Sequence, residues 1–482
     1  MALLEVDPSS TSSGLRGNVG WVGIVFFVVA AAAPLTVVFG SLPPALTFGG
    51  IGIPGAMLVA GIVLIFFAVG FTAMSRYVKN AGAFYAYASR GIGKPVGIGV
   101  ALVAVISYAA LSIAFYGLIG FFGNIAGSQV FGLDLPWWVY SGVALIVVFL
   151  LSRRQVDVGA KVLGTLLTLE VLIVVALMIS IIVKGGSGEA FSFAPFSFDN
   201  VFLAPGVGVL FVFAFGAYLG FEATAVYSEE AQDAERSVPR ATYVAVAFLA
   251  IFYALSFAVI IYGFGIEGSL AIASDPESAQ FLTAISATTY LGDLGANAML
   301  ILVVTSFLAC LISFHNATAR YLFAMGREGL LPRGLGTVNK HGAPWRGSVV
   351  LLVLAVVVVL ITAITGTDPY FGMAIWAYSG GVAGLVLVQA AAAYAVFGYF
   401  RKDRRGHGIF RVLIAPLLGA IGLTIGWIFI VLNLNVLSGT DGVANLWLIL
   451  PGPALLVIGV IWGLMMKRSS PSRYRDLLSA DT

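Results

Sequence analysis

Two carboxyl groups in this 482-residue chain stand apart from the other acids. Glu170 in LLTLEVLIVV and Glu222 in GFEATA each lie within a long apolar run, while the remaining acids fall in loops or at the ends of such runs. No lysine or arginine occupies a comparable depth to neutralise them. A charge at the centre of a bilayer costs ~2.5–3.5 kcal/mol on insertion scales, so intramembrane acids tend to be functional. A carboxyl that takes and releases a proton as a cavity opens to one side and then the other can couple a proton gradient to solute movement. The plainer alternative is a permanently neutral acid hydrogen-bonded to a neighbouring helix. His315, beside Asn316 near the end of an apolar run, is a weaker functional candidate, whose plainer alternative is a hydrogen bond to a carbonyl.

Two apolar runs also carry helix-breaking or flexible residues at mid-depth. The first reads VVAAAAPLTVVFG with Pro34 near its centre, and the sixth reads FVFAFGAYLGFEATAVYSEE with Gly216 and Gly220 near its centre. Proline lacks an amide hydrogen and collides with the preceding turn, and glycine lowers the cost of leaving helical geometry. Interrupted segments at matching positions of two halves are the best sequence pointer to a transporter site. Their unwound amides can hold a carboxylate and their carbonyls an ammonium. The competing reading is a simple kink at Pro34 and a packing face at Gly216-xxx-Gly220.

Long apolar elements are needed to hold such groups. The chain is 60% hydrophobic before its 58 glycines are counted, and only 10% charged, against ~25% charged in a soluble domain. That excludes a soluble enzyme, a disordered chain and a coiled coil. The runs do not alternate, so helices and not barrel strands are expected. Twelve spans are predicted, at 20–42, 54–77, 97–123, 136–152, 162–184, 203–228, 241–264, 296–319, 347–366, 370–398, 412–434 and 444–466, with the longest connection at roughly 265–295. With the N-terminus inside, 24 of the 25 basic residues fall on the inner side and only Lys184 outside, as the positive-inside rule demands. Both termini are therefore expected in the cytoplasm and the protein in the cell membrane. A cytoplasmic tail is expected at 1–19 and another at 467–482. Between them lie a ten-helix core at 20–398, in halves of about 20–184 and 203–398, and two further helices at 412–466.

Other chemistry is poorly supported. One cysteine, Cys310, excludes an intramolecular disulfide framework, and three histidines leave little for a metal site. Gly50-Ile-Gly-Ile-Pro-Gly55 matches a dinucleotide fingerprint but follows a membrane span, so it reads as a tight turn. Glu229, Glu230, Asp233 and Glu235 are interleaved with Arg236 and Arg240 and read as a solvated ionic surface. The basic loops are explained by the inner leaflet and do not imply nucleic-acid binding. No cofactor, no metal and no enzymatic activity are expected.

Several segments bear a family likeness. GFEATAVYSEEAQDAERSVPRA, Gly220–Ala241, resembles the sixth-span signature of the amino acid–polyamine–organocation superfamily. NATARYLFAMGREGLLP, Asn316–Pro332, followed by Ala343–Trp345, resembles its eighth-span exit. KNAGAFYAYASRGIG, Lys79–Gly93, resembles its loop between spans two and three, and APLT in span one resembles some amino acid and polyamine permeases. The usual Asn-Pro of the sixth-span signature is Asp233-Ala234 here, and the usual Asp-Gly after span eight is Glu328-Gly329. Glu170 stands at what looks like the position of a proton-exchanging lysine in some relatives.

The resemblance implies two inverted five-helix repeats with discontinuous helices 1 and 6 and a central site between them. It implies amino acids or related amines as substrates. The positions that match its binding segments are Ala32, Ala33, Pro34, Leu35 and Thr36 in span one, and Phe215, Gly216, Ala217, Tyr218 and Gly220 in span six. Tyr218 would close over the substrate as an aromatic lid, and Glu222 matches a glutamate tied to gating and proton release. The expected function is proton-coupled import of an amino acid by alternating access. The alternatives are a putrescine-like polyamine importer or amine exchanger, and sodium coupling with Ser306, Ser313 and Thr318 as hydroxyl ligands.

Overall fold

The computed structural model describes residues 20–78, 83–153, 160–221, 233–340, 342–438 and 443–477. Glu222, Glu229, Glu230 and His341 lie outside the described residues, as does the 1–19 tail. Among the described residues every regular element is helical. In chain order these are α1 Trp21–Ala32, α2 Pro34–Gly40, α3 Leu42–Gly49, α4 Ile53–Met74, α5 Ala83–Gly91, α6 Lys94–Phe131, α7 Trp137–Ser152, α8 Ala160–Val183 and α9 Val207–Gly216. They continue with α10 Ala234–Ser274, α11 Leu282–Arg327, α12 Trp345–Thr365, α13 Ile375–Lys402, α14 Ala415–Leu432, α15 Leu434–Ser438, α16 Val443–Ile449, α17 Pro451–Ser469 and α18 Pro471–Asp476. Proline in the first turn starts α4, α6 and α17, where its missing amide hydrogen and fixed φ cost nothing.

Among the described residues, eight helical stretches are long and apolar enough to cross a bilayer, and Pro34–Gly49, Trp137–Ser152 and Val207–Gly216 are shorter apolar ones. Helices satisfy every backbone amide internally, which hydrocarbon requires. Their outward faces are apolar. Val353, Leu360, Ile361 and Ile364 on α12 are exposed, as are Leu172, Ile179 and Ile182 on α8. Polar side chains such as Thr36, Glu170, Ser306 and Gln389 are buried instead. This is a multi-pass membrane protein.

One expected loop is replaced by structure. The 265–295 connection is largely helical, because α10 bends at Gly265 and runs on to Ser274, while α11 starts at Leu282 and bends at Gly292. Both glycines sit at φ 72, a left-handed conformation that side chains with a Cβ rarely tolerate. The connection is not a free surface loop either. Leu282, Ser286 and Ala287 are fully buried, and Thr283 Oγ1 donates to Val38 O of α2 at 2.9 Å.

Helix α6 packs against α11, α13 and α17. The α6–α17 crossing is close enough that a Cβ on Gly459 would lie 2.3 Å from Gly99 Cα. The short helix α18 is tied to the start of α6 and to the turn that follows α11. Lys94 Nζ donates to Tyr474 O at 3.1 Å and Arg475 O at 2.8 Å. Arg473 donates to Gly329 O, and Leu477 is buried. Lys94→Ala removes both ammonium contacts, whose partly exposed setting limits their net worth to about 1 kcal/mol. Limited trypsin digestion after Arg473 or Arg475 should then run roughly fivefold faster than in the wild type. An unchanged rate means that the other contacts alone hold the tail.

Candidate transport site

The first span breaks at Ala33, which adopts φ 43 and ψ 79 between α1 and α2. A non-glycine residue held there costs of order 1–3 kcal/mol, so its surroundings must over-determine it. Pro34 contributes by offering no amide hydrogen to continue α1. The groups orphaned by the break find partners from distant helices. Tyr253 of α10 donates its hydroxyl to Ala32 O at 3.3 Å. Leu35 N–H donates to Glu170 Oε2 of α8 at 3.4 Å.

Glu170, only 4% exposed, is therefore a partner of the break itself. Its Oε2 also accepts from Ser306 Oγ of α11 at 2.9 Å, and Ser306 in turn accepts from Thr36 Oγ1 at 2.9 Å. The two hydroxyls point their hydrogens along one line, from Thr36 through Ser306 to the carboxylate. Cys310, one turn along α11 from Ser306, places its Sγ 3.9 Å from Thr36 Oγ1. Of the three hydroxyls considered for sodium, only Ser306 joins this cluster. Ser313 is exposed, and Thr318 donates to Phe314 O within its own helix at 2.8 Å. His315 Nε2 lies 2.5 Å from Ser348 Oγ of α12 and joins those two helices.

The sixth span breaks as well. Helix α9 ends at Gly216, and 217–221 form turns closed by bonds such as Leu219 N–H to Gly216 O at 3.2 Å. Gly220 adopts φ 107. Glu222 and the rest of that span lie outside the described residues. The two breaks face one another across a small cavity. Ala32 and Thr36 line it from the first span, Gly216 and Leu219 from the sixth, and Phe115, Phe314 and Tyr378 from α6, α11 and α13.

The sequence-derived positions divide around this cavity. Ala32, Thr36 and Gly216 border it. Ala33, Pro34 and Leu35 form the buried break that shapes it. Phe215 points away, since its ring packs on Phe211 and against Gly426 of α14. Ala217 is buried, and Gly220 supplies the turn. Tyr218 does not border the cavity in this conformation. Its ring packs edge-on to Tyr253 and its hydroxyl donates to Met57 O of α4 at 2.7 Å. The aromatic neighbours of the cavity are Phe115, Phe213, Phe314 and Tyr378, which sequence reading did not single out. Apolar runs hold too many aromatics for any one to announce itself, and these four come together only through packing.

Broken helices meeting around a buried polar cluster are the arrangement of a transporter site. Residues 19–461 match the profile of the amino acid permease family, and the chain belongs to that family. It is 26% identical to the branched-chain amino acid permease BcaP of Lactococcus lactis over 333 residues, 64% of this chain and 68% of that protein. It is 24% identical to the low-affinity putrescine importer PlaP of Escherichia coli over 445 residues, 88% and 91% of the two chains. The aromatic amino acid transport protein AroP of Escherichia coli is 25% identical over 342 residues, 68% and 70% of the two chains. A crystal structure of the Eremococcus coleocola manganese transporter shares the fold, with a TM-score of 0.57 at 13% identity over 93% of this chain and 98% of that one.

Proposed function

We propose that this protein imports an amino acid across the cell membrane by alternating access, and that protons drive it through Glu170. The observation that carries the reading is the line of hydrogen bonds from Thr36, which borders the cavity, through Ser306 to Glu170, whose same oxygen holds Leu35 N–H at the helix break. Binding and protonation are thereby linked in one physical network. A proton placed on Oε2 competes with both donors. It frees the Leu35 amide and allows Ser306 and Thr36 to reorient, which changes the break that the substrate would touch. The reverse coupling follows, because two ligands joined through one structural element bias each other equally.

In this reading the substrate's charged ends meet the unwound backbone of the two breaks, and its side chain lies among the neighbouring helices. The inner-side gathering of lysine and arginine supports cytoplasmic termini. Purified protein in liposomes should accumulate a labelled amino acid when the outside is made acidic. Uptake that ignores a pH gradient but follows a sodium gradient replaces the proton in this scheme, and absence of uptake for every amino acid tested removes the scheme altogether.

A further inference from the structure

We infer that the cavity selects a neutral amino acid with an apolar side chain, and rejects diamines and amino acids with basic or acidic side chains. This rests on the transport reading above, which it narrows. Among the described residues none that lines the cavity is charged. Its wall carries two stacked aromatic pairs. Phe115 and Phe314 lie with ring centroids 5.5 Å apart at 7°, and Phe213 and Tyr378 lie 5.6 Å apart at 14°. Leu118 of α6 and Ile375 of α13 add aliphatic surface.

Among the described residues the polar side chains of the wall are few and uncharged. Thr36 donates to Ser306. Tyr378 and Ser41 add two neutral hydroxyls. The nearby buried acid, Glu170, is not in the wall but behind Thr36 and Ser306, and its accepting oxygen is already engaged by two donors. A zwitterion needs only the backbone of the two breaks for its charged ends. Putrescine and lysine each carry a further ammonium, which would be stripped of water among rings and aliphatic carbons, with no carboxylate among the described lining residues to meet it. Burying a charge without a partner is heavily penalised, whereas an apolar side chain gains from the same surroundings.

The chain supplies its own reporter. Cys310, its only cysteine, borders the cavity, so an occupant should shield it from a small thiol reagent. Wild-type protein in detergent is treated with methyl methanethiosulfonate in the presence of leucine, valine, phenylalanine, lysine, glutamate or putrescine, and modification is followed by intact mass. Thermal stabilisation by the same six compounds is measured in parallel and needs no thiol access. Leucine, valine or phenylalanine should act at concentrations at least about tenfold below those of lysine, glutamate and putrescine. Equal or stronger action by any of the last three overturns the inference.

Uptake of labelled leucine and putrescine into liposomes separates the two levels of the argument. Proton-driven putrescine uptake without leucine uptake sinks the selectivity and leaves proton-driven transport standing. Leucine binding without uptake of either compound sinks the transport reading and leaves the selectivity standing. Selective leucine uptake supports both.

Discussion

Glu170→Gln protein in liposomes should fail to accumulate substrate against a gradient while still binding it. A pH difference of one unit supplies about 1.4 kcal/mol per proton, enough for about tenfold accumulation with one proton per substrate. In the variant the inside-to-outside ratio should fall to about one. Glutamine keeps a carbonyl oxygen at the position that accepts from Ser306 and Leu35 N–H, so the break should keep its shape and counterflow exchange should persist. Binding measured across pH 5 to 8 should lose whatever dependence Glu170 gives the wild type. Glu170→Ala is the informative contrast. It leaves two buried donors without their acceptor, at about 1–3 kcal/mol for each unsatisfied group, and should lower thermal stability and binding together. Undiminished accumulation by the glutamine variant would remove Glu170 from the coupling scheme.

That Glu170 stands apart was readable from its setting in LLTLEVLIVV, because an acid with no countercharge in a hydrocarbon run has few reasons to be there. Its partners were not readable. Leu35 and Ser306 are 135 and 136 residues away, and nothing in either local sequence marks them as neighbours of α8. The two interrupted helices were legible for the same kind of reason, since Pro34 and the glycines of span six change backbone preference locally. The residue that takes the left-handed conformation at the first break is nevertheless Ala33, one of four consecutive alanines. Its geometry is imposed by Pro34 and by the distant side chains of Tyr253 and Glu170. The stretch 265–295 misled in the opposite way. Its polar residues Glu267, Asp275, Glu277 and Asp293 resemble a loop, but between them lie positions such as Leu282, Ser286 and Ala287 that pack inward as helix.

The second large effect is expected from a single added methyl group at Gly216. This residue ends α9, and Tyr378 of α13 comes so close that a Cβ built there would lie 2.1 Å from the tyrosine hydroxyl and 2.7 Å from its Cζ. Val382 Cγ2 would be 2.9 Å away on the same side. The tyrosine cannot simply swing clear. It is stacked on Phe213 at a centroid distance of 5.6 Å. Gly216→Ala must therefore push α13 from the sixth-span break or displace the ring into the cavity. Overpacking of this kind costs typically about 1–3 kcal/mol, and here it falls on a wall shared by both breaks. Initial uptake rates should fall by at least about tenfold, with a smaller loss of thermal stability. Tyr378→Phe deletes the atom of closest approach, so the double variant should recover part of the lost rate even though Tyr378→Phe alone, which removes a hydroxyl from the cavity wall, reduces transport. Such non-additivity is the signature of two residues in contact. If the two losses simply add, the approach of Tyr378 to Gly216 does not govern the shape of the cavity, and the defect must come from altered turning of residues 217–221.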